Sequence, residues 1–267
     1  MKSPLRWPGG KGRLAEQILP HLGRHTCYCK PCCGGAGLFF AKPKEWSRCE
    51  VLNDIDGELI NFYRVLHRQG RRLAAEVDGM PYSRGLFMRL RNSRPTRAFA
   101  RALRFWYLDR VCFGAILRGN PTFGVCKTQP RFALTPNVLT SLDAVIERLR
   151  GVVFEELDVV RCIRLYDTAA TTFYVDPPYA DIRQLYARDF ADSDHARLAT
   201  AMGHVNGRWL LSYDDVPAVR RLYRGCSIMR LSARYSLRGN CPTYERRGTE
   251  LLISNRTLRR ARSARVT

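Results

Sequence analysis

The sequence has no long hydrophobic run: nothing in its 267 residues approaches the roughly 20 uninterrupted apolar positions that a bilayer crossing needs. Its opening, Met1-Lys2-Ser3-Pro4 leading into Arg6 and Trp7, lacks the apolar core of a secretion signal. We therefore expect a soluble, intracellular (cytoplasmic) protein with no membrane partner. Acidic residues are also scarce. Asp and Glu number 24 against 45 Lys and Arg, a formal charge of +21, so the molecule's field attracts polyanions, and neutralised phosphates would release counterions. Nucleic acid is the partner class this favours; the rival is a general bias toward arginine, which raises the charge without making a groove. Paired cysteine knuckles are missing as well. Of ten cysteines most are single, and the cluster Cys27, Cys29, Cys32, Cys33 lacks paired C-x2-C knuckles and a second Cys/His group at finger spacing. The pattern favours reduced, buried thiols over a disulfide scaffold or a zinc site, and no metal is expected.

What is present is 45% hydrophobic content in a chain long enough for a sizeable core. Short apolar runs bounded by turn residues predict strands at 26–29, 49–53, 152–156, 172–175, 209–213, 227–231 and 250–254. Helical spacing between them covers 13–22, 57–66, 137–149, 195–205 and 216–223. Strands alternating with helices indicate an α/β fold, a doubly wound, Rossmann-like and mostly parallel sheet of about seven strands. The alternation stops between about Leu66 and Leu149, where arginine-rich helical sequence takes over. This predicts a core from 1–57 and 151–267, with an inserted helical domain over 58–150. Within the insertion, 96–112 carries Phe99, Leu103, Trp106, Tyr107 and Val111 at helical spacing, read as core. A basic, turn-rich stretch follows with Arg118, Gly119, Gly124, Lys127 and Arg131, suited to a hairpin or loop facing a ligand. The last residues, 256–267, are basic and read as a tail that adds phosphate affinity.

Chemistry concentrates in three places. Asp176-Pro177-Pro178-Tyr179 follows the predicted strand Thr172–Val175, at the carboxyl end where open α/β sheets place their ligand crevice. Two prolines keep the backbone extended and its carbonyls available to accept hydrogen bonds from an exocyclic amine, and Asp176 is a second acceptor. Such an amine is a weak nucleophile because its lone pair is delocalised; acceptors beside its N–H bonds favour a reactive, tetrahedral nitrogen. Placing that nitrogen in line with an electrophilic methyl supplies the rest by orientation and electrostatics. Tyr179 would stack on a base taken out of the duplex. On its own the tetrapeptide is equally a rigid turn after a strand.

The second place is Pro31-Cys32-Cys33-Gly34-Gly35-Ala36-Gly37, a strand-to-helix turn whose small residues allow a ligand to approach the backbone. Roughly 20 residues on, Asp54 ends the next strand where nucleotide-binding sheets hold a ribose, and Asp56 reads as the cap of the following helix. The third is Leu5-Arg6-Trp7-Pro8-Gly9-Gly10-Lys11, where Lys11 would reach a carboxylate and Trp7 would pack on a zwitterionic ligand, or else form a terminal turn with a solvated lysine. The full triphosphate-loop pattern is absent. His195 and His204 lie in helical patterns and read as core or surface residues.

Taken together and in this order, these motifs resemble the Dam-type (D12 class) DNA adenine-N6 methyltransferases over nearly the whole chain. Residues 5–11 look like that family's W-x-G-G-K, Asn53-Asp54-Ile55-Asp56 like its D-I-N segment, Leu108-Asp109-Arg110 like its L-N-R, and 250–255 like its closing strand. The resemblance implies transfer of a methyl group from S-adenosylmethionine to adenine N6 at a specific site in double-stranded DNA, an activity found in restriction-modification. It also implies that Trp7, Lys11, Gly34, Gly35, Asp54 and Asp176 contact the cofactor, and that Asp176, Pro177, Pro178 and Tyr179 hold the flipped adenine. The insertion would then recognise the target, with DNA contacts from Arg118, Lys127 and Arg131 and further candidates at Arg89, Arg91 and Arg94, in a monomer or weak dimer. The chain departs from the family at Lys30, where an acid is usual, at Cys32, where an aromatic is usual, and in the order Gly34-Gly35-Ala36-Gly37. A lysine facing the sulfonium opposes its charge, whereas one turned away is harmless. The rival readings are an amino methyltransferase for cytosine N4 or RNA, and a non-catalytic DNA-binding protein of the same fold.

Overall fold

The apolar runs become strands because each places alternate side chains on opposite faces of a sheet that is covered on both sides. The computed structural model describes residues 1–115, 117, 120–128, 131–179, 190–232 and 249–258. Among these, β1 (Cys27–Lys30), β2 (Cys49–Asn53), β3 (Val152–Glu155), β4 (Thr171–Val175), β5 (Arg208–Asp214), β6 (Ser227–Ser232) and β7 (Thr249–Ser254) form one sheet. Its order is β3-β2-β1-β4-β5-β7-β6. The first five strands run parallel, while β7 pairs antiparallel with both β5 and β6. The predicted Rossmann-like, mostly parallel sheet is thus what the chain forms.

Two apolar clusters sandwich it. On one face Tyr28, Leu52, Tyr174 and Leu210 join α1 (Ala15–Leu22), α2 (Gly37–Ala41), α3 (Gly57–Asp78), α4 (Arg84–Asn92) and α5 (Ala98–Val111). On the other, their neighbours Cys29, Val51, Phe173 and Leu211 pack on α8 (Val159–Tyr166), α9 (Asp192–Gly203) and α10 (Pro217–Leu222). The helical region therefore shares its core with the sheet: Phe62 of α3 lies 5.6 Å from Phe105 and 5.5 Å from Trp106, ring centroid to ring centroid. Of the residues whose spacing predicted a core, Trp106, Tyr107 and Val111 are buried, while Phe99 and Leu103 are half-buried; Phe105 is buried beside them.

Local departures have local causes. Helix α3 continues to Asp78 rather than stopping near Leu66, with non-helical angles at Gln69. Beside that kink Gly70 lets Ile146 approach; a Cβ there would sit 2.6 Å from Ile146 Cδ1. The helix predicted over 137–149 splits into α6 (Pro136–Thr140) and α7 (Leu142–Arg148), because Ser141 Oγ bonds back to the Asn137 carbonyl at 2.8 Å. Two helices went unpredicted, α4 and α8. Asp158 caps the latter by accepting from the Val160 and Arg161 amides.

Away from the crevice Glu50 is buried but paired, with Lys42 Nζ at 2.8 Å and Arg148 bonding both its oxygens. Its carboxyl is held below the ordinary range because these hydrogen bonds outweigh the burial that opposes them. Cys29 and Cys33 are buried, and Cys27 and Cys32 half-buried, as free thiols. Among the described residues no three potential ligands gather as a metal site, and no helix is long and apolar enough to cross a membrane.

Candidate active site at the carboxyl ends of the parallel strands

Strands β2, β1 and β4 end side by side, and residues at or just beyond their ends open into a cavity of about 270 Å³ lined by Trp7, Lys30, Gly34, Asp54, Asp158 and Asp176, among others. Asn53, fully buried, holds the floor together. Its Nδ2 donates to the carbonyls of Pro31 (2.7 Å) and Leu157 (3.0 Å), and its Oδ1 accepts from the Leu157 amide (2.8 Å). The loops after β1 and β3 are thus tied to one side chain at the end of β2.

The glycine turn is shaped by two contacts. Asp54 Oδ2 accepts from the Gly34 amide at 2.9 Å, and its Oδ1 accepts from the Asp56 amide at 3.2 Å. Burial pushes the Asp54 carboxyl up, and the backbone donors pull it back down. From above, Trp7 lies on the turn: a Cβ at Gly35 would meet Trp7 Cβ at 2.5 Å, and one at Gly34 would meet Trp7 Nε1 at 2.7 Å. Gly34 also has φ +48°, and Ala36 holds φ 51° without being glycine. Asp56 is the helix cap the sequence predicted, accepting from the Glu58 amide at 2.9 Å, and burial raises it to about 6.

Lys11 and the Asp176-Pro177-Pro178-Tyr179 segment come together. Lys11 Nζ lies 2.9 Å from Asp176 Oδ1, donates to the Gly9 carbonyl at 2.7 Å and sits 4.8 Å from the centroid of the Tyr179 ring. It is 4% exposed, so its charge is not solvated. Glu250, at the start of β7, stands 3.9 Å from the same ammonium and is itself buried. Burial lifts its carboxyl to about 7 against the pull of Lys11. Tyr179 leans on Tyr213, 6.0 Å between ring centroids, and Tyr213 is hydrogen-bonded to His195. His195 is a buried core residue, as its helical position predicted; His204 is exposed.

Of the residues named from the sequence, Trp7, Lys11, Gly34, Gly35, Asp54, Asp176 and Pro178 line one space, with Trp7 packed on Gly34 and Gly35; Tyr179 stands beside it against Lys11, and Pro177 is not part of the lining. Sequence reasoning missed Asn53, Ile55, Asp158, Arg197 and Glu250. Ile55 is an apolar side chain 39% exposed at the cavity wall, and Arg197 clamps Asp158 with two bonds of 2.8 and 2.7 Å. Only two of the five carried a signal: Asp158, an acid three residues beyond β3, and Glu250, an acid at the head of the apolar run of β7.

The proposed DNA contacts lie elsewhere. Lys127 and Arg131 are exposed on the segment after α5, while Arg118 lies outside the described residues. That segment folds back on the helix end, with Phe113 N donating to Thr122 O (2.8 Å) and Gly124 N to Val111 O (2.9 Å). Phe113 and Phe132 are left 60% and 64% exposed. Arg91, by contrast, is half-buried and bonded to the Pro121 carbonyl at 3.3 Å. The N-terminal motif reaches the same helix: the Arg6 amide donates to Asp109 Oδ2 at 3.1 Å, and Arg6 Nη1 to the Arg110 carbonyl at 2.6 Å.

With this geometry in view, the comparison with known proteins is direct. The family of D12 class N6 adenine-specific DNA methyltransferases matches residues 7–237. The chain belongs to that family. It is an adenine-N6-specific DNA methyltransferase, and its chemistry implies a methyl donor. A DNA adenine methylase of Serratia marcescens is 27% identical, over 88% of this chain and 92% of the relative. The type II methyltransferase M.MjaIII of Methanocaldococcus jannaschii is 26% identical over 96% and 99%, and M.CviBI of Paramecium bursaria Chlorella virus NC1A is 22% identical over 84% and 87%. Among solved structures, the rRNA methyltransferase aviRa from Streptomyces viridochromogenes has a TM-score of 0.43 at 11% identity, covering 93% of this chain and 85% of that one.

Proposed function

We propose that this methyltransferase takes its methyl group from S-adenosylmethionine bound along the strand ends, and transfers it to an adenine held at Asp176-Pro177-Pro178-Tyr179. The observation that carries this reading is that a single cavity joins Asp54 at the end of β2 to Asp176 at the end of β4. The residues suit such a ligand: a carboxylate for a ribose at Asp54, apolar walls at Ile55, Leu157 and Val159 for a ring, and the Lys11 ammonium for a carboxylate. When bound, the donor supplies an electrophilic methyl.

The protein's own part is placement and charge. Lys11 fixes Asp176 Oδ1, so Oδ2 is the oxygen positioned to accept an N–H of the target amine, with the Pro177 carbonyl beside it. Tyr179, backed by Tyr213, offers a face for the flipped base. Residues 58–150 form the target-recognition part, in which Arg118, Lys127 and Arg131 meet DNA, and the enzyme acts as a monomer or weak dimer.

The test is incubation with unmethylated double-stranded DNA and S-adenosylmethionine, followed by single-molecule sequencing. N6-methyladenine confined to one short sequence is the expected outcome. Absence of methylation, or N4-methylcytosine in its place, would overturn the reading.

A further inference from the structure

Glu250 is the second residue of β7, and the three residues after it, Leu251, Leu252 and Ile253, are fully buried. Glu250 itself is only 2% exposed. Its register partners are Asp214 on β5 and Leu231 on β6. A buried carboxylate that serves the fold is normally saturated with hydrogen bonds, as Glu50 is by Lys42 and Arg148. Glu250 differs: among the described residues no backbone amide reaches either of its oxygens. What it faces is charge. Lys11 Nζ lies 3.9 Å away, and the same ammonium stands 2.9 Å from Asp176 Oδ1. Burial pushes the Glu250 carboxyl up, as do Asp176 and Asp214, while Lys11 and the Tyr179 hydroxyl pull it down. One buried cation thus stands between two carboxylates, and only the nearer, Asp176, lines the cavity.

Resting on the transfer assigned under Proposed function, we infer that Glu250 is a positioning residue for it: acting through Lys11, it allows Asp176 to take up the proton that the target amine releases. As the N–CH3 bond forms, the C–S bond breaks and leaves its electron pair on sulfur. One N–H bond of the amine also breaks; its electrons stay on nitrogen and its proton passes to Asp176 Oδ2. The Asp176 carboxylate is then a neutral acid, and Lys11 loses its nearer counterion. Glu250 supplies the replacement charge, so that neutralising Asp176 does not strand a buried ammonium. Without that second charge Lys11 holds Asp176 in its ionised form and makes it a poorer proton acceptor.

The test is single-turnover methylation of unmethylated plasmid DNA, with the full chain and S-adenosylmethionine in excess over sites, from about pH 6 to about pH 8. The wild-type rate should rise with pH through about 7, as Glu250 gains its charge, and level off above. Glu250→Gln has the same size and no charge. It should be slower than wild type at the upper end of this range by about tenfold or more and lose the rise, with DNA and donor affinities changed less than about twofold. Glu250→Asp, which keeps a charge beside Lys11, should retain the rise. A Gln variant as fast as wild type would overturn the inference, and so would a slow one that keeps the wild-type pH dependence, or a loss confined to affinity. A wild-type rate that is flat across the range overturns it too, and that arm stands even if the Gln variant misfolds. Failure of the wild-type protein to make any N6-methyladenine has a different signature: it removes the reading under Proposed function, and this inference with it.

Discussion

Oδ1 of Asp176 is held 2.9 Å from Nζ of Lys11, so the N-terminal motif and the end of β4 meet in one ion pair at the cavity. Burying this pair is costly, and its stability is assisted by the second carboxylate, Glu250, 3.9 Å from the same ammonium. A pair retained under those conditions orients a group. On the proposed reading, it orients the Asp176 carboxylate toward the place where the target amine would be held.

Asp176→Ala should therefore lose methylation by at least about a hundredfold, because an acceptor aimed at the reacting nitrogen is removed. The fold should survive, since Lys11 keeps Glu250 as a partner. Methylation assays paired with thermal melting check this. Substantial activity in a folded variant would remove Asp176 from the role.

Gly35→Ala places a methyl group 2.5 Å from Trp7 Cβ, an atom that cannot swing aside. Trp7 or the glycine turn must shift, at a cost of about 1–3 kcal/mol, and donor affinity should fall with it. Adding Trp7→Gly to the variant should restore part of the lost stability, because it removes the atom that clashes. Melting temperatures of the single and double variants decide the matter; strict additivity would show that the clash is not the cause.

Asp109 gives a pH-dependent prediction. It is fully buried, and burial raises its carboxyl to about 7, opposed by the Arg6 amide bonded to Oδ2. In the unfolded chain it loses its proton near the ordinary 3.8. Between these values the folded state holds more protons, so this residue's contribution to stability declines as pH rises from about 4 to about 7 and is flat above. Asp109→Asn should abolish that decline and leave the protein more stable at pH 8 than its parent by a few kcal/mol. Denaturant titrations at pH 5 and pH 8 measure it, and parallel curves for the two proteins would contradict the assignment.

For the DNA contacts the readout is salt. Lys127→Gln and Arg131→Gln should each weaken binding similarly across DNA sequences and lower the slope of log affinity against log salt by about one. A residue whose removal leaves the slope unchanged does not neutralise a phosphate.

Much of this protein is legible without coordinates, for a physical reason. Strands buried on both faces must be apolar along their length, so the segment ending in Val175 shows itself, and Asp176-Pro177-Pro178-Tyr179 is visible as the polar break that ends it. The glycine turn, Asp54 and the cap Asp56 are likewise local events, since backbone freedom and helix capping depend on neighbours in sequence. Helix α8 stayed hidden because it is short and its start depends on the single capping residue Asp158. Charge compensation cannot be read along the chain at all. That Lys11 meets Asp176 and Glu250, that Asn53 ties the loops after β1 and β3, and that Lys30 lies between Asp54 and Asp176 follow from the order of the strands, which sets which side chains meet across the sheet. The sequence by itself determined the family and the sheet; only the tertiary structure decided which charges face each other, because Coulomb energies depend on distance in space and on burial, not on separation along the chain.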